Sequence, residues 1–143
     1  YIKVSKKRLR NTHFTICSSQ QLPFPRNSFD RVFALFMFHH LTDDEVRSSL
    51  KEVCHCLKDD GKLVLVDPFL PSSRLNLLGW ILGKIDRGRH VRKRTHLLEL
   101  FEEIDSFKWS EIVFKEAWPY DMSVYICDTG RADHINTPTV PPC

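Results

Sequence analysis

The 143-residue chain has 42% hydrophobic and 27% charged residues and a formal net charge of +3. Those values are ordinary for one soluble globular domain with a real core. The charge is too mild to argue for nucleic acid by itself, and no apolar run approaches the ~20 residues needed to span a bilayer. Five cysteines, at 17, 54, 56, 127 and 143, make an odd count without framework spacing, which points to buried thiols in a reduced, cytoplasmic setting. Cys54-His55-Cys56 has no second ligand pair at zinc-site spacing, so no metal is expected. The chain shows no secretory signal and starts at Tyr1 rather than Met, as an N-terminally truncated fragment would.

In chain order, "YIKVSKKRLR" reads as the end of an amphipathic helix closed by Asn11, and "HFTIC" (13–17) as a short strand. "LPFPRNS" is a loop. Val32 to Phe38 then runs apolar without alternation, as in a strand buried on both faces of a helix-covered parallel sheet. Asp30, at its entry, is expected to accept hydrogen bonds from backbone N–H groups of the preceding turn. His39-His40 falls at the strand's carboxyl end, where ligands collect in open α/β sheets.

Thr42-Asp43-Asp44-Glu45 fits a capping box, followed by Val46, Leu50, Val53 and Leu57 on one helix face. Lys58-Asp59-Asp60-Gly61 is expected to end that helix, with Gly61 left-handed. "KLVLVD" (62–67) is the next buried strand and completes a right-handed βαβ unit. Residues 68–94 combine a short apolar helix with a basic tail. Thr95 caps "HLLELFEEI", with Leu97, Leu98, Phe101 and Ile104 as its apolar face. "WSEIVFKEAW" and "MSVYIC" read as strands joined by a hairpin at Pro119-Tyr120-Asp121. From Asp128 the composition is that of a disordered tail, giving a domain over 1–128 and a tail over 129–143.

The stretch from Leu22 to Asp67 resembles the small-molecule (type 11-like) class I S-adenosylmethionine-dependent methyltransferases. The matching features are Leu22-Pro23-Phe24, Ser28-Phe29-Asp30, the strand ending in His39-His40-Leu41, Leu50-Lys51-Glu52-Val53 before Leu57-Lys58, Gly61, and the strand up to Asp67. The resemblance extends from about residue 1 to 128. It implies an α/β fold: a Rossmann-like, doubly wound, mostly parallel sheet ending in an antiparallel hairpin. It also implies S-adenosyl-L-methionine as cofactor. The family's glycine-rich turn and its ribose-binding acid fall before the position of Tyr1 in the usual order. Three other departures are Ser18-Ser19 for Asp-Ala, His55 for Arg, and Asp59-Asp60-Gly61 for Pro-Gly-Gly.

The same resemblance places Cys17, Ser18 and Ser19 at the adenine pocket, and Ala34, Leu35 and Phe36 beside the methionine end of the cofactor. His39 and His40 are either bases for the reaction or seats for the following helix. Asp67 is either a substrate contact or a turn residue before Pro68. Arg74 to Arg94 corresponds to the variable substrate region, with Trp80 and Arg89 as candidate contacts. Its Leu75, Leu77, Leu78, Trp80, Ile81 and Leu82 beside Arg87, Arg89, Arg92, Lys93 and Arg94 suit an apolar, anionic small molecule or lipid, and equally a peripheral membrane contact. The plainer reading is a surface helix packed on its own sheet with a solvated basic edge.

Two functions follow. One is methyl transfer to a small molecule or lipid as part of a longer chain. The other is a binding module descended from such an enzyme. An oxidoreductase reading lacks a Tyr-x-x-x-Lys pair. A nucleic-acid target lacks both the Asn/Asp-Pro-Pro-Tyr signature and aromatics interleaved with the basic cluster.

Overall fold

A computed structural model describes residues 9, 11–70, 76–85, 89–104, 107–114 and 121–129. They form β1 (Phe29–Leu35), a 3-10 turn (Phe38–His40), α1 (Asp43–Cys56), β2 (Leu57–Phe69), α2 (Leu77–Ile85), α3 (Arg94–Glu102), β3 (Phe107–Phe114) and β4 (Asp121–Thr129). The sheet order is β1-β2-β4-β3. β1 and β2 are parallel, while β4 is antiparallel to both β2 and β3. This is an α/β sheet with the antiparallel end that the resemblance implies, and among the described strands one pairing is parallel and two are antiparallel. The helix expected over 1–10 and the turn at Pro119-Tyr120 lie outside the described residues, Leu9 apart.

Helix α1 starts where its residues dictate. The Thr42 side chain accepts a hydrogen bond from the Glu45 N–H, and the Glu45 carboxylate accepts one from the Thr42 N–H at 2.8 Å. Its inward stripe, Val46, Ser49, Leu50, Val53 and Cys56, is buried. The apolar members join Leu63 and Leu65 of β2, Leu97, Leu100 and Phe101 of α3, and Tyr125 and Cys127 of β4 in the core. Each Val, Leu or Phe fully buried there contributes roughly 1.5–3 kcal/mol of transfer free energy. From Gly61 to Asp67 of β2 and from Met122 to Cys127 of β4 the odd-numbered residues are buried and the even-numbered ones half-buried, so the packed core lies on one face of the sheet.

β1 departs from the expectation of burial on both faces. Ala34 is buried, but Phe33 and Leu35 are 64% and 56% exposed. β1 is an edge strand of the described sheet, with β2 as its single strand neighbour there. "HFTIC" is not a strand: Ile16 is 85% exposed, and without a ladder partner an extended segment gains little from its β propensity. Asp30 is exposed and pairs with Lys58 Nζ at 2.8 Å instead of capping the preceding turn. That Lys58 hydrogen bond, together with the charge of the ammonium, holds the Asp30 carboxyl below its ordinary range.

The helix end differs too. α1 stops at Cys56, and residues 58–61 bulge out of the β1–β2 ladder, whose register passes from Phe29↔Leu57 to Arg31↔Lys62. Gly61 does not adopt a left-handed conformation. It is required for a different reason: a Cβ there would lie 2.8 Å from the Lys58 carbonyl oxygen and 2.9 Å from Leu57 Cδ2. The Thr129 hydroxyl lies within 3.0 Å of the carbonyls of Lys58, Asp59 and Gly61, pinning the bulge to β4. β4 therefore runs through Asp128, which pairs with Lys62 at 2.6 Å, and Thr129, both beyond the start expected for a tail. We expect Gly61→Ala to destabilise the protein by about 1–3 kcal/mol, because one obstacle is backbone that cannot rotate away. Urea denaturation checks this.

Finally, α3 begins at Arg94 rather than after Thr95. Lys93 is its N-cap and makes no side-chain cap bond. The first turn is held instead by His96, whose Nε2 lies 3.0 Å from Asp43 at the start of α1. Phe101 stacks on Trp109 of β3 at 4.1 Å between ring centroids, which fixes α3 on the sheet.

Candidate active site at the carboxyl edge of the sheet

β1 and β2 run in parallel, so Leu35 and Val66 are register partners near one edge. Immediately after β1 the chain turns sharply. Phe36 has φ 52°, a left-handed conformation that a bulky residue adopts at a cost of roughly 1–3 kcal/mol. Its N–H donates to the Val66 carbonyl at 2.8 Å, which secures the turn. Backbone strain of this kind concentrates at functional sites. The consequence is local: Phe36 is left half-exposed, and the 3-10 turn carrying Phe38, His39 and His40 folds back over the end of β2.

His39 and Asp67 meet there. Nδ1 of His39 lies 2.9 Å from Asp67 Oδ1, and both residues are buried. An ionised carboxylate can only accept, so Nδ1 is the donor and Nε2 the basic nitrogen. Burial pushes the Asp67 carboxyl above its ordinary range, and the hydrogen bond and charge of His39 offset only part of that. Asp67 is thus not a turn residue before Pro68 but a buried partner of His39. The His40 ring lies 4.0 Å from that of His39, centroid to centroid, and is exposed.

The pH dependence follows in sign. A carboxyl whose folded value is raised binds its proton more tightly folded than unfolded, so its contribution to stability is complete below the ordinary carboxylate value and is lost as pH rises through the raised one. Relative to Asp67→Asn, the native chain should therefore lose stability between about pH 4 and its raised titration point. Comparing urea midpoints of the two proteins across that window cancels the carboxylates they share. A constant difference would contradict the assignment.

The strongest feature of the edge was not legible as such in the sequence. Arg92 is buried, not part of a solvated basic cluster. Its guanidinium donates to the carbonyls of Phe38 (3.0 Å), Leu41 (2.6 Å) and His90 (3.1 Å), and from Nε to Asp43 Oδ1 (2.8 Å). Burial acts to raise the Asp43 carboxyl, but Arg92 and His96 together bring it below its ordinary range. The His90 N–H donates to the His39 carbonyl at 3.0 Å, and the Leu70 N–H to the Arg92 carbonyl at 2.9 Å. Segment 90–92 thus locks the histidine turn to the end of β2.

A second segment reaches the same region along α1. Gln20 Nε2 donates to Glu45 (3.1 Å), Ser49 Oγ to Ser19 Oγ (2.8 Å), and the Leu22 N–H to Glu52 (2.9 Å). The Ser28 N–H donates to the Cys56 carbonyl (2.8 Å). Glu45, Ser49, Glu52 and Cys56 climb one stripe of α1, so residues 19–28 track the helix. Ser18 is exposed, its Oγ accepting from the Gln20 N–H at 3.2 Å, and Cys17 is exposed.

The structure therefore brings His39, His40, Asp67, Leu35 and Phe36 to one edge and fastens the Ser18-Ser19 loop to the helix that begins beside it. Ala34 is core. Arg89 is exposed, and the Trp80 side chain lies outside what is described. A hollow of about 430 Å3 lined by Arg26, Lys51, His55 and Lys58 opens at the opposite, amino end of β1 and β2. The buried polar groups that converge at the histidine edge, His39, Asp67 and Arg92, do not line it.

For the cofactor that the resemblance implies, the residues present fit in part. Leu35 and Phe36 offer an exposed apolar wall at the strand end, and the Ser18-Ser19 loop offers backbone groups. The 143 residues contain no Gly-x-Gly sequence for the methionine carboxylate.

Comparison with known proteins bears on the family and the fold. The methyltransferase domain family matches residues 1–65. The uncharacterized methyltransferase YcgJ of Bacillus subtilis is 38% identical over 91 residues, covering 62% of this chain and 34% of that protein. The ubiquinone/menaquinone biosynthesis C-methyltransferase UbiE of Rickettsia massiliae is 33% identical over 72 residues, covering 46% and 28%. A crystal structure of a SAM-dependent methyltransferase from Aquifex aeolicus superposes with a TM-score of 0.64 at 22% identity, covering 88% of this chain and 60% of that one. The chain spans about a third of the length of these curated relatives.

Proposed function

We infer that this chain, which is similar to class I S-adenosylmethionine-dependent methyltransferases, takes part in methylating an apolar small molecule or lipid in the cytoplasm. The observation that carries this reading is the convergence of His39, His40, Asp67, Leu35 and Phe36 on the carboxyl edge of the parallel β1–β2 pair. A quinone-like ring is the acceptor class suggested by the similarity to UbiE. It also suits the apolar segment between β2 and α3.

When bound, S-adenosylmethionine supplies an electrophilic methyl group. The chain's own residues do the rest. Leu35 and Phe36 exclude water from one side of the edge. Asp67 fixes the His39 ring, and His39 supports the exposed imidazole of His40. At this edge His40 would be the group to take the proton that an acceptor hydroxyl or ring carbon gives up on methylation, with S-adenosylhomocysteine as the leaving product. Since methyl transfer to a good nucleophile depends mainly on alignment, this base matters most for weakly acidic acceptors.

The test is methyl transfer from labelled S-adenosylmethionine to quinol and phenol acceptors by the full-length protein, with His40→Asn compared for kcat. The second reading, a binding module without catalysis, draws on the Ser18 and Ser19 hydroxyls being engaged within the protein. Absence of S-adenosylmethionine binding to the full-length protein in calorimetry would favour it.

A further inference from the structure

The segment between β2 and α3 leaves the sheet and returns to the same point, because the Leu70 N–H meets the Arg92 carbonyl at 2.9 Å. Within the excursion, α2 is capped by Asn76, whose Oδ1 accepts from the Gly79 N–H at 2.9 Å. Leu77 and Ile85 are 67% and 70% exposed, and Leu78 and Ile81 are also exposed. At 3.6 residues per turn these four side chains fall within an arc of about 100°, a single stripe, while Gly79 on the opposite side is buried. A helix of this kind presents its apolar face outward.

The chemistry next to it is cationic. Residues 84–94 hold six Lys and Arg against one Asp, in a chain whose net charge is only +3, so the rest of the chain is slightly acidic. Arg92 is consumed internally, but Arg89, Lys93 and Arg94 are exposed. An outward apolar stripe followed directly by exposed cations complements an anionic lipid surface: the aliphatic groups enter the acyl boundary and the cations meet the headgroups. A protein partner would have to pair an apolar groove with an acidic surface, whereas an anionic bilayer offers both together.

We propose that α2 seats this protein on anionic membranes, with Leu77, Leu78, Ile81 and Ile85 inserted and Arg89 and Lys93 at the headgroups. The His90–His39 and Leu70–Arg92 hydrogen bonds then hold the histidine edge beside the bilayer, where an apolar acceptor would reside. That purpose rests on the proposed function. The binding does not, since it requires neither cofactor nor acceptor.

The experiment is sedimentation of the full-length protein with phosphatidylcholine vesicles, with and without phosphatidylserine, in the absence of S-adenosylmethionine. Binding to the anionic vesicles is expected, falling at least about tenfold in Leu77→Gln/Ile81→Gln/Ile85→Gln. Arg89→Gln/Lys93→Gln should weaken it by about fivefold per charge on anionic vesicles and leave neutral vesicles unaffected. All substituted side chains are exposed, and unchanged circular dichroism and melting establish that the variants are folded. Failure to bind anionic vesicles, equal binding to both compositions, or full binding by the triple variant would overturn the proposal. So would light scattering that shows the stripe buried in a dimer which the triple variant dissociates. Intact S-adenosylmethionine binding alongside any of these would leave the proposed function standing.

Discussion

Arg92→Met should destabilise the protein by about 3 kcal/mol or more. The substitution keeps an unbranched apolar stem but strips a donor from the main-chain carbonyls of Phe38, Leu41 and His90, of which Phe38 retains the Leu41 N–H at 3.0 Å. A buried acceptor left unpaired costs about 1–3 kcal/mol, and breaking a buried pair is costlier than the pair's net worth. Asp43 is 38% exposed, so loss of its charge partner adds less than the carbonyls do. Lys93→Gln, one position on and exposed, should stay within about 0.5 kcal/mol of the native protein. Urea denaturation of both variants decides the matter. A loss under about 1 kcal/mol for Arg92→Met would return Arg92 to the solvated basic edge that its sequence context suggests.

A polypeptide of residues 1–143 should bind S-adenosylmethionine with a dissociation constant weaker than about 1 mM, less than ~4 kcal/mol of binding. Among the described residues, the apolar wall of Leu35 and Phe36 and the Ser18-Ser19 loop stand ready, and each serine oxygen already accepts one hydrogen bond within the protein. No Gly-x-Gly turn is present to hold the methionine carboxylate. The exposed Phe33 and Leu35 of an edge strand also favour pairing with another chain, so the titration must be read beside the oligomeric state. Micromolar binding by a monomer would show that these residues hold the cofactor unaided.

The βαβ unit was legible because its signals are local. Thr42 and Glu45 make a box within four residues, and the 3.6 period from Val46 to Val53 names the buried face directly. The failures share a cause: each depended on what lies across from a residue. "HFTIC" has strand composition but finds no ladder. The apolar residues of β1 indicate burial on both faces, yet the described fold packs its core on one. Gly61 is needed for clearance from Lys58, not for a positive φ. At the site, the position of His39-His40 could be read from a strand end, but its bond to Asp67, 28 residues away, could not. Arg92 is the clearest case. In "RHVRKR" nothing in composition separates the buried guanidinium from its exposed neighbours, because three of its partners are backbone carbonyls that carry no sequence signal and the fourth, Asp43, lies 49 residues away.

The hydrogen bond between Leu70 and Arg92 has a consequence for descent as well as for structure. It closes the 70–92 excursion at its base, and the described hydrogen bonds from the excursion to the histidine turn and to the end of β2 gather at its carboxyl end, at His90 and Arg92. Lengthening such a closed loop costs little, about 0.6 kcal/mol for each doubling. Residues inside it can therefore be exchanged or inserted with small effects on folding, while Asp43, His39 and Arg92 must stay as they are. Selection could in this way change which acceptor is recognised and leave the reactive edge intact.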